Sequence, residues 1–509
     1  MSGILAGAGL LAAAAACAVA ILLPPGRARS AAMLLALALF PLLILGDQWH
    51  TQQIVDLRHS GARIAALLAI GVVAVAALTC LFRRWPVLLP LAIVAALPFR
   101  VPLHAGGDTA NLLVPLYLVI AGGVLAVLLR DWTAGSARGE AENGAGSPRP
   151  QASPLALPGG RPAVWLPRVL AAVVVLYGLQ TLYSEDFSKG LQNMCFFLVP
   201  FTVAFALLQD VEWDKRLLRL VLYVIVAEAL AFVLIGVVEY ASRSLFWNDV
   251  VIRSNEFHTY FRVNSVFWDP NIYGRYLALV LVVVTTALLW AKRRRDFWLL
   301  ATAIFVLWVG LALTFSQSSF LALLAGLAVL AAIRWSWRWT LGAVAVGVVG
   351  AALVIVLIGG SGKITPSRIN DDLSGRGNLV SGGIDLFSER PIWGYGSGSF
   401  QHAYSDHRKN KNIPVSVSHT EPITVAAEQG LVGLVFYVAL IVVALWAMTA
   451  GLRGRRAGRA AVLAAFVALL VHTMSYAGFF EDPITWVLLA IGAALASTPY
   501  VPPAVRDSA

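Results

Sequence analysis

Ten cationic or imidazole side chains crowd one polar stretch of this chain: Lys363, Arg368, Arg376, Arg390, Arg408, Lys409, Lys411, His402, His407 and His419, all between Gly360 and Glu421. Guanidinium groups bind phosphate through two parallel hydrogen bonds. An imidazole with an unperturbed pKa near 6.5 can accept a proton from a hydroxyl nucleophile. Together they can hold and react an anionic substrate. Scattered members such as Arg408, Lys409 and Lys411 are more simply read as a solvated charged loop. Arg376 differs by context, in Ser374-Gly-Arg-Gly-Asn378 ahead of the glycine-rich Pro391–Phe400. A second arginine, Arg262, stands in Tyr260-Phe-Arg-Val-Asn-Ser-Val-Phe-Trp-Asp-Pro-Asn271, just before an apolar run. Arginine at the edge of a membrane span usually has a functional partner. A lone histidine at a helix start is more often structural, but His419 is followed at fixed spacing by Glu428, Gly430 and Gly433.

The elements that must position these residues are membrane helices. Of 509 residues, 59% are hydrophobic and only 13% charged, about half the charged fraction of a soluble domain. Fifteen apolar runs between 3 and 498 approach spanning length, with 31–46, 86–98 and 319–333 short enough to be re-entrant or merged. A crossing helix needs roughly 20 such residues, and an open sheet edge cannot be satisfied in lipid. The expected fold is an all-α polytopic membrane protein of about 12–15 transmembrane helices. The first run, Ile4 to Leu23, lacks a positive leader segment and reads as a retained span. Cys17, Cys80 and Cys195 lie in apolar runs and read as small buried hydrophobes, with no metal-binding spacing.

Alternate connections are basic, among them Arg27/Arg29, Arg83/Arg84, Lys215/Arg216/Arg219, Lys292–Arg295 and Arg453–Arg459. By the positive-inside rule these face the cytoplasm, which puts 360–421 outside. The expected organisation is N-terminal helices over 1–130, a disordered Gly/Pro/Ser-rich cytoplasmic linker over 131–167, helices over 168–359 with an outer loop at 241–270, the extracytoplasmic loop 360–421, and C-terminal helices over 422–509. The net charge of +11 then reflects topology and not nucleic-acid binding. No glycine pattern of a nucleotide site follows a strand, and the outer loops carry no Asp-x-Asp, so neither cofactor nor metal is expected. The adjacent acids Asp371/Asp372 and Glu481/Asp482 read as solvated groups or partners for loop arginines. Phe267, Trp268, Phe479, Phe480 and Trp486 read as an interfacial aromatic belt, or as the walls of a groove for a lipid tail.

Residues 255–480 resemble the O-antigen ligase/polymerase superfamily of bacterial membrane glycosyltransferases. Four features carry the resemblance: Arg262 with Asp269-Pro270-Asn271; Arg376 heading the outer loop; the turn Pro391, Gly394, Gly396 and Phe400; and His419, Glu428, Gly430 and Gly433 leading into a span. Two positions depart from the pattern. Thr420 stands where asparagine is usual, and Phe315-Ser-Gln-Ser-Ser319 has Gln317 where a cation is expected. The resemblance implies a GT-C-like architecture in the bacterial plasma membrane with an extracytoplasmic site. It implies a polyprenyl-pyrophosphate-linked glycan donor, a glycan or lipid-glycan acceptor, and inverting, metal-independent transfer. In that reading His419, Arg376 and Arg262 are catalytic, and Arg368, Gln317, Asn271, Gly394, Gly396 and Glu428 bind substrate, Glu428 by orienting His419 or pairing with an arginine. The rival reading is a polytopic transporter or lipid-linked glycan flippase, which predicts ionisable groups at midspan. These are few, chiefly Glu228.

Overall fold

A computed structural model describes residues 3–49, 61–105, 108–142, 161–246, 251–253, 255, 260–342, 344–345, 376–408, 418–450, 452 and 457–497. Among them, eleven helices are long and apolar enough to cross a membrane. The protein is an all-α polytopic membrane protein, with one added two-stranded hairpin (β1 Val101–Ala105, β2 Asp108–Leu112) in antiparallel register.

The first half comprises α1 (Gly3–Leu22), α2 (Arg27–Asp47), α3 (Gly61–Arg84), a short α4 (Leu88–Ala96), α5 (Val114–Glu142), α6 (Arg161–Thr181) and α7 (Phe187–Leu208). The run expected at 86–98 is thus a nine-residue helix, too short to cross. The expected disordered segment 131–167 is helical at both ends, to Glu142 and from Arg161; 143–160 lie outside the described residues. A π-helical turn, Met194–Leu198, interrupts α7.

The second half holds α8 (Lys215–Ser242), α9 (Pro270–Leu289), α10 (Arg294–Leu313), α11 (Gln317–Arg334), α12 (Arg376–Glu389), α13 (Phe400–His407), α14 (Glu421–Thr449), α15 (Ala457–Thr473) and α16 (Pro483–Ser497). The run expected at 338–359 lies mostly outside the described residues. Helix starts are set chemically. Asp214 accepts the Leu217 amide at 2.7 Å to open α8, and Asp269 accepts that of Asn271 at 2.6 Å with Pro270 following. Helix α9 is the central strut, packed on α10, α11 and α15, with Tyr273, Leu277 and Ala278 all fully buried.

Two sequence expectations fail here. Phe267, Phe479, Phe480 and Trp486 form neither a belt nor an open groove wall: all are at most 5% exposed and pack in the core. The indole of Trp486 donates to the Phe480 carbonyl at 2.9 Å, so its one polar atom is satisfied inside. Cys80 is exposed, on a face of α3 with few internal contacts, whereas Cys17 and Cys195 are buried.

Candidate functional site

Three loops converge at one end of the bundle: residues 260–269 before α9, the α10–α11 turn at 314–316, and residues 474–482 between α15 and α16. Residues 418–420, which open α14, join them. Arg262 is half-buried there. Its Nε donates to the Thr314 carbonyl at 3.0 Å and its Nη2 to Asn271 Oδ1 at 3.1 Å. The Ser316 hydroxyl donates to the same Asn271 oxygen at 2.9 Å, although Ser316 sits at the N-cap of α11 and could have capped that helix. Two sequence-predicted residues, Arg262 and Asn271, are therefore joined directly. Gln317 follows as the first residue of α11 and is exposed.

From Ser316 the contacts continue inward. Its hydroxyl lies 2.8 Å from that of Ser319, and His472 Nε2 is 3.2 Å from Ser319 Oγ and 3.3 Å from Ser318 Oγ. On the other side of the ring, Arg275 Nε donates to His472 Nδ1 at 3.1 Å. A guanidinium Nε–H can only donate, so Nδ1 must accept and the ring proton sits on Nε2, aimed at the serines. Arg275 also donates to Asp482 Oδ2 at 2.7 Å and to the Tyr476 carbonyl at 3.1 Å. Arg275 and Asp482 are 3% and 6% exposed. Asp482 was expected to be solvated or to pair with a loop arginine; it instead holds an arginine of span α9, because a guanidinium buried that deeply needs a paired charge.

His419 reaches this network through aromatic contact. Its ring centroid lies 6.0 Å from that of Tyr476, and the Arg275 guanidinium lies 5.5 Å from the same tyrosine ring. His419 takes φ = 62°, a left-handed conformation rare for a side-chain-bearing residue. The following Thr420 hydroxyl donates to the Met474 carbonyl at 3.1 Å. Ser265 and Phe315, in the other two loops, also have positive φ. Such backbone persists only where the surroundings hold it, and it clusters at functional sites. Burial is the main cause that raises the Tyr476 phenol pKa, with Asp269 adding to it, which keeps the hydroxyl protonated. Arg100 brings a further guanidinium within electrostatic reach of Asp482, Tyr476 and Arg275, its pKa lowered mainly by burial.

Glu428, Gly394 and Gly396 form a separate unit. The Glu428 carboxylate accepts the amides of Gly398 at 2.8 Å and Phe400 at 3.1 Å, and its carbonyl accepts that of Gly396 at 2.7 Å. It orients neither His419 nor an arginine through any described hydrogen bond or ion pair. Helix α14 breaks two residues later at Gly430 (φ 62°, ψ −163°), and the Leu431 amide donates to the Pro391 carbonyl at 2.7 Å. Gly394 and Gly396 have φ of 68° and 96°; a Cβ on either would overlap the Glu428 carbonyl or Ser184. Residues 394–400 are all buried, so this turn is packed against protein. Arg376 opens α12. Arg368 lies outside the described residues, as do Lys363, Lys409, Lys411, Asp371 and Asp372. Arg408 is exposed and lies over Tyr404.

The ordered series His419, Glu428, Gly430 and the hairpin 314–319 fall within a recognised region. Residues 302–438 match the O-antigen ligase family model. The match supports the O-antigen ligase/polymerase superfamily, and with the many apolar helices it supports a membrane function of O-antigen ligase/polymerase type. No curated protein matches the chain. The matched region ends short of both flanks of the network: Arg262, Asn271 and Arg275 precede it, and His472, Tyr476 and Asp482 follow it. Arg275, His472, Tyr476 and Arg100 are the residues that sequence reasoning missed, and Asp482 was named without its partner Arg275. One signal could have found Arg275 and His472: a single ionisable residue inside an apolar run is a functional candidate by default.

Proposed function

We propose that this protein is a membrane glycosyltransferase that polymerises or ligates glycans delivered on a polyprenyl pyrophosphate, at the outer face of the bacterial plasma membrane. The observation that carries this reading is the unbroken chain of contacts from Arg262 through Asn271, Ser316, Ser319, His472, Arg275 and Tyr476 to His419. It links an arginine and an imidazole far apart in sequence at one end of a bundle of apolar helices. The short connections at the other end are rich in Lys and Arg, as at Arg83/Arg84 and Lys292–Arg295, which supports an extracytoplasmic site.

The chemistry follows from the donor. An acceptor hydroxyl attacks the anomeric carbon, the bond from that carbon to the pyrophosphate oxygen breaks, and the electron pair leaves with the pyrophosphate. The hydroxyl proton passes to His419. Negative charge grows on the leaving group, so arginines fixed beside it stabilise the transition state more than the ground state. Arg262 and Arg376, with Arg368, are assigned to that clamp. Arg262 suits the task because two of its donors are already committed to Thr314 and Asn271, which fixes the plane of the guanidinium. Arg275 and His472 act as positioning groups. The donor is already activated, so no further energy source is needed.

The test is replacement of Arg262, Arg376 or His419 by Ala, with glycan length or transfer followed in membranes of equal protein content. Loss of one stabilising donor should lower the rate about 10²–10³-fold. Wild-type product from His419→Ala and Arg376→Ala would overturn the assignment.

A further inference from the structure

The turn between α12 and α13 leaves two large apolar side chains uncovered. Ile392 and Trp393 are 56% and 59% exposed, although the residues that follow them are buried. They adjoin the end of an exposed apolar stripe on α14: Leu431, Val435, Val438, Val442 and Trp446, spaced as one face of a helix. The junction is made by hydrogen bonds. The Leu431 amide donates to the Pro391 carbonyl at 2.7 Å, and the Val432 amide to that of Ile392 at 3.3 Å. The hydroxyl of Tyr183, just past the end of α6, donates to the Trp393 carbonyl at 2.7 Å, and Leu182 beside it is exposed as well.

Helix rise gives the depth of this turn. Below the break at Gly430, α14 runs to Thr449, and basic residues begin at Arg453. From Leu431 to Thr449 is roughly 27 Å at the rise of an α-helix, close to the ~30 Å of a hydrocarbon core. Residues 391–393 therefore lie at the level where hydrocarbon meets head groups. Irregular backbone is tolerated there only when protein satisfies it. The carbonyls of Pro391, Ile392 and Trp393 each have a donor from α14 or Tyr183, and Pro391 has no N–H to satisfy. Charge returns at the neighbouring residue, where Arg390 is half exposed and pairs with Glu185 at 2.7 Å. A tryptophan thus closes the stripe at each end, Trp393 at the loop and Trp446 near the opposite boundary, which are the two levels that membrane tryptophans favour.

We propose that Ile392 and Trp393 insert into the bilayer leaflet at this end of the bundle and anchor the 376–408 unit to the membrane. Their partner is the upper acyl chain and glycerol region of ordinary phospholipid, continuous with the lipid that covers the α14 stripe. The turn is held from the protein side by α6 and α14, so the anchor fixes the unit at a set depth. The anchor does not depend on the transfer chemistry proposed above.

Nitroxide labels placed one at a time at Ile392→Cys and Trp393→Cys, in full-length protein reconstituted into phosphatidylethanolamine–phosphatidylglycerol vesicles, test the depth. The background is Cys80→Ser, because Cys80 is exposed whereas Cys17 and Cys195 are buried. Val438→Cys on the α14 stripe and Asp406→Cys on α13 give the lipid and water references. Collision with oxygen, which concentrates in lipid, is compared with collision with a water-soluble nickel chelate. The oxygen-to-nickel ratio at 392 and 393 should exceed that at 406 by about tenfold and approach that at 438, as interfacial insertion requires. A ratio at both positions equal to that at 406 overturns the proposal, because the turn then faces water. Low collision with both reagents also overturns it, because protein then covers the turn. In unsubstituted protein, a phospholipid with a diazirine high on its acyl chain should label the peptide that holds 391–393; labelling of the α14 stripe without that peptide counts against the anchor.

Discussion

Replacing Asp482 by Ala should be among the most destabilising single changes in the second half of the chain. Asp482 does two jobs. Its Oδ2 accepts from Arg275 at 2.7 Å, with both side chains almost fully buried, and its Oδ1 accepts the Ile484 amide at 2.9 Å at the start of α16. Breaking a buried pair by removing one partner costs roughly 3–5 kcal/mol, because the other charge stays buried and unmatched. Losing the cap adds about 1 kcal/mol. Asp482→Ala should therefore lose roughly 4–6 kcal/mol, whereas Asp482→Ser keeps a cap and should lose about 1 kcal/mol less. The double change Arg275→Leu with Asp482→Leu removes both charges. It should recover most of the loss, leaving the cap and the abandoned His472 Nδ1 acceptor as the residual cost. Equilibrium unfolding by SDS in mixed micelles, followed by tryptophan fluorescence, measures these proteins beside wild type and the single variants Arg275→Leu and Asp482→Leu. If Asp482→Ala falls within about 1 kcal/mol of wild type, or if the two single losses simply add in the double variant, the buried pair is not what holds this loop. On the proposed function, the double variant is also the one in which stability and chemistry should part: folded protein, with glycan transfer lost because Tyr476 and His472 no longer have Arg275 to position them.

The remaining predictions concern the elements around that network. Gly430→Ala should strongly reduce the yield of folded protein, because φ 62° with ψ −163° is essentially a glycine conformation and a Cβ there would overlap the Ile392 carbonyl; detergent-solubilised monodisperse fraction measures it. Glu428→Ala leaves two buried amides without an acceptor, at about 1–3 kcal/mol each, and Glu428→Gln should restore part of the loss; hydrogen exchange at residues 394–400 reports the loosening. Glu481, between α15 and α16, has its carboxyl pushed up from its ordinary value, first by burial and then by the charge of Glu421. The folded protein therefore holds this proton where the unfolded chain has released it, so stability declines as pH rises above the ordinary carboxylate range. Glu481→Gln should remove that component, seen as a flatter profile of thermal midpoint against pH than wild type; identical profiles would refute it.

Much of this architecture was legible in the residues. Apolar runs gave most of the spans because a membrane helix cannot hide its composition. The alternation of basic connections separated the two ends. Arg262 and Asn271 were found together because both flank the same helix start, nine residues apart. The centre of the network was not found. Arg275 meets His472 and Asp482 across 197 and 207 positions of sequence, and such distances leave no local spacing to read. Each looked like a minor polar interruption of an apolar run, or a solvated acid, until the packing of α9 against α15 brought them together. The aromatic residues failed for a related reason. Phe479 and Phe480 stand at the edge of a hydrophobic run, which is also where an interfacial belt would lie, and only burial separates the two.

Glu428 was read as a partner for charge, and its actual use explains how irregular loops survive beside a membrane core. Backbone amides that leave helical geometry near hydrocarbon must find acceptors within the protein. Three glutamates supply them. Glu239, at the end of α8, accepts the amides of Asn264 at 3.2 Å and Ser265 at 2.8 Å. Glu421, at the start of α14, accepts those of Gly478 at 2.7 Å and Phe479 at 3.1 Å. Glu428 takes Gly398 and Phe400 in the same way. Each sits on a helix end or just inside it, and each fastens a loop that carries or adjoins a candidate group: Arg262, Asp482 and the buried glycine turn, respectively. Each of these carboxylates has its hydrogen bonds spent on loop amides, so they are better described as anchors for the loops. On the proposed function, His419 and Arg262 are the groups that meet the substrate, with rigidity supplied by the glutamates that fasten their loops.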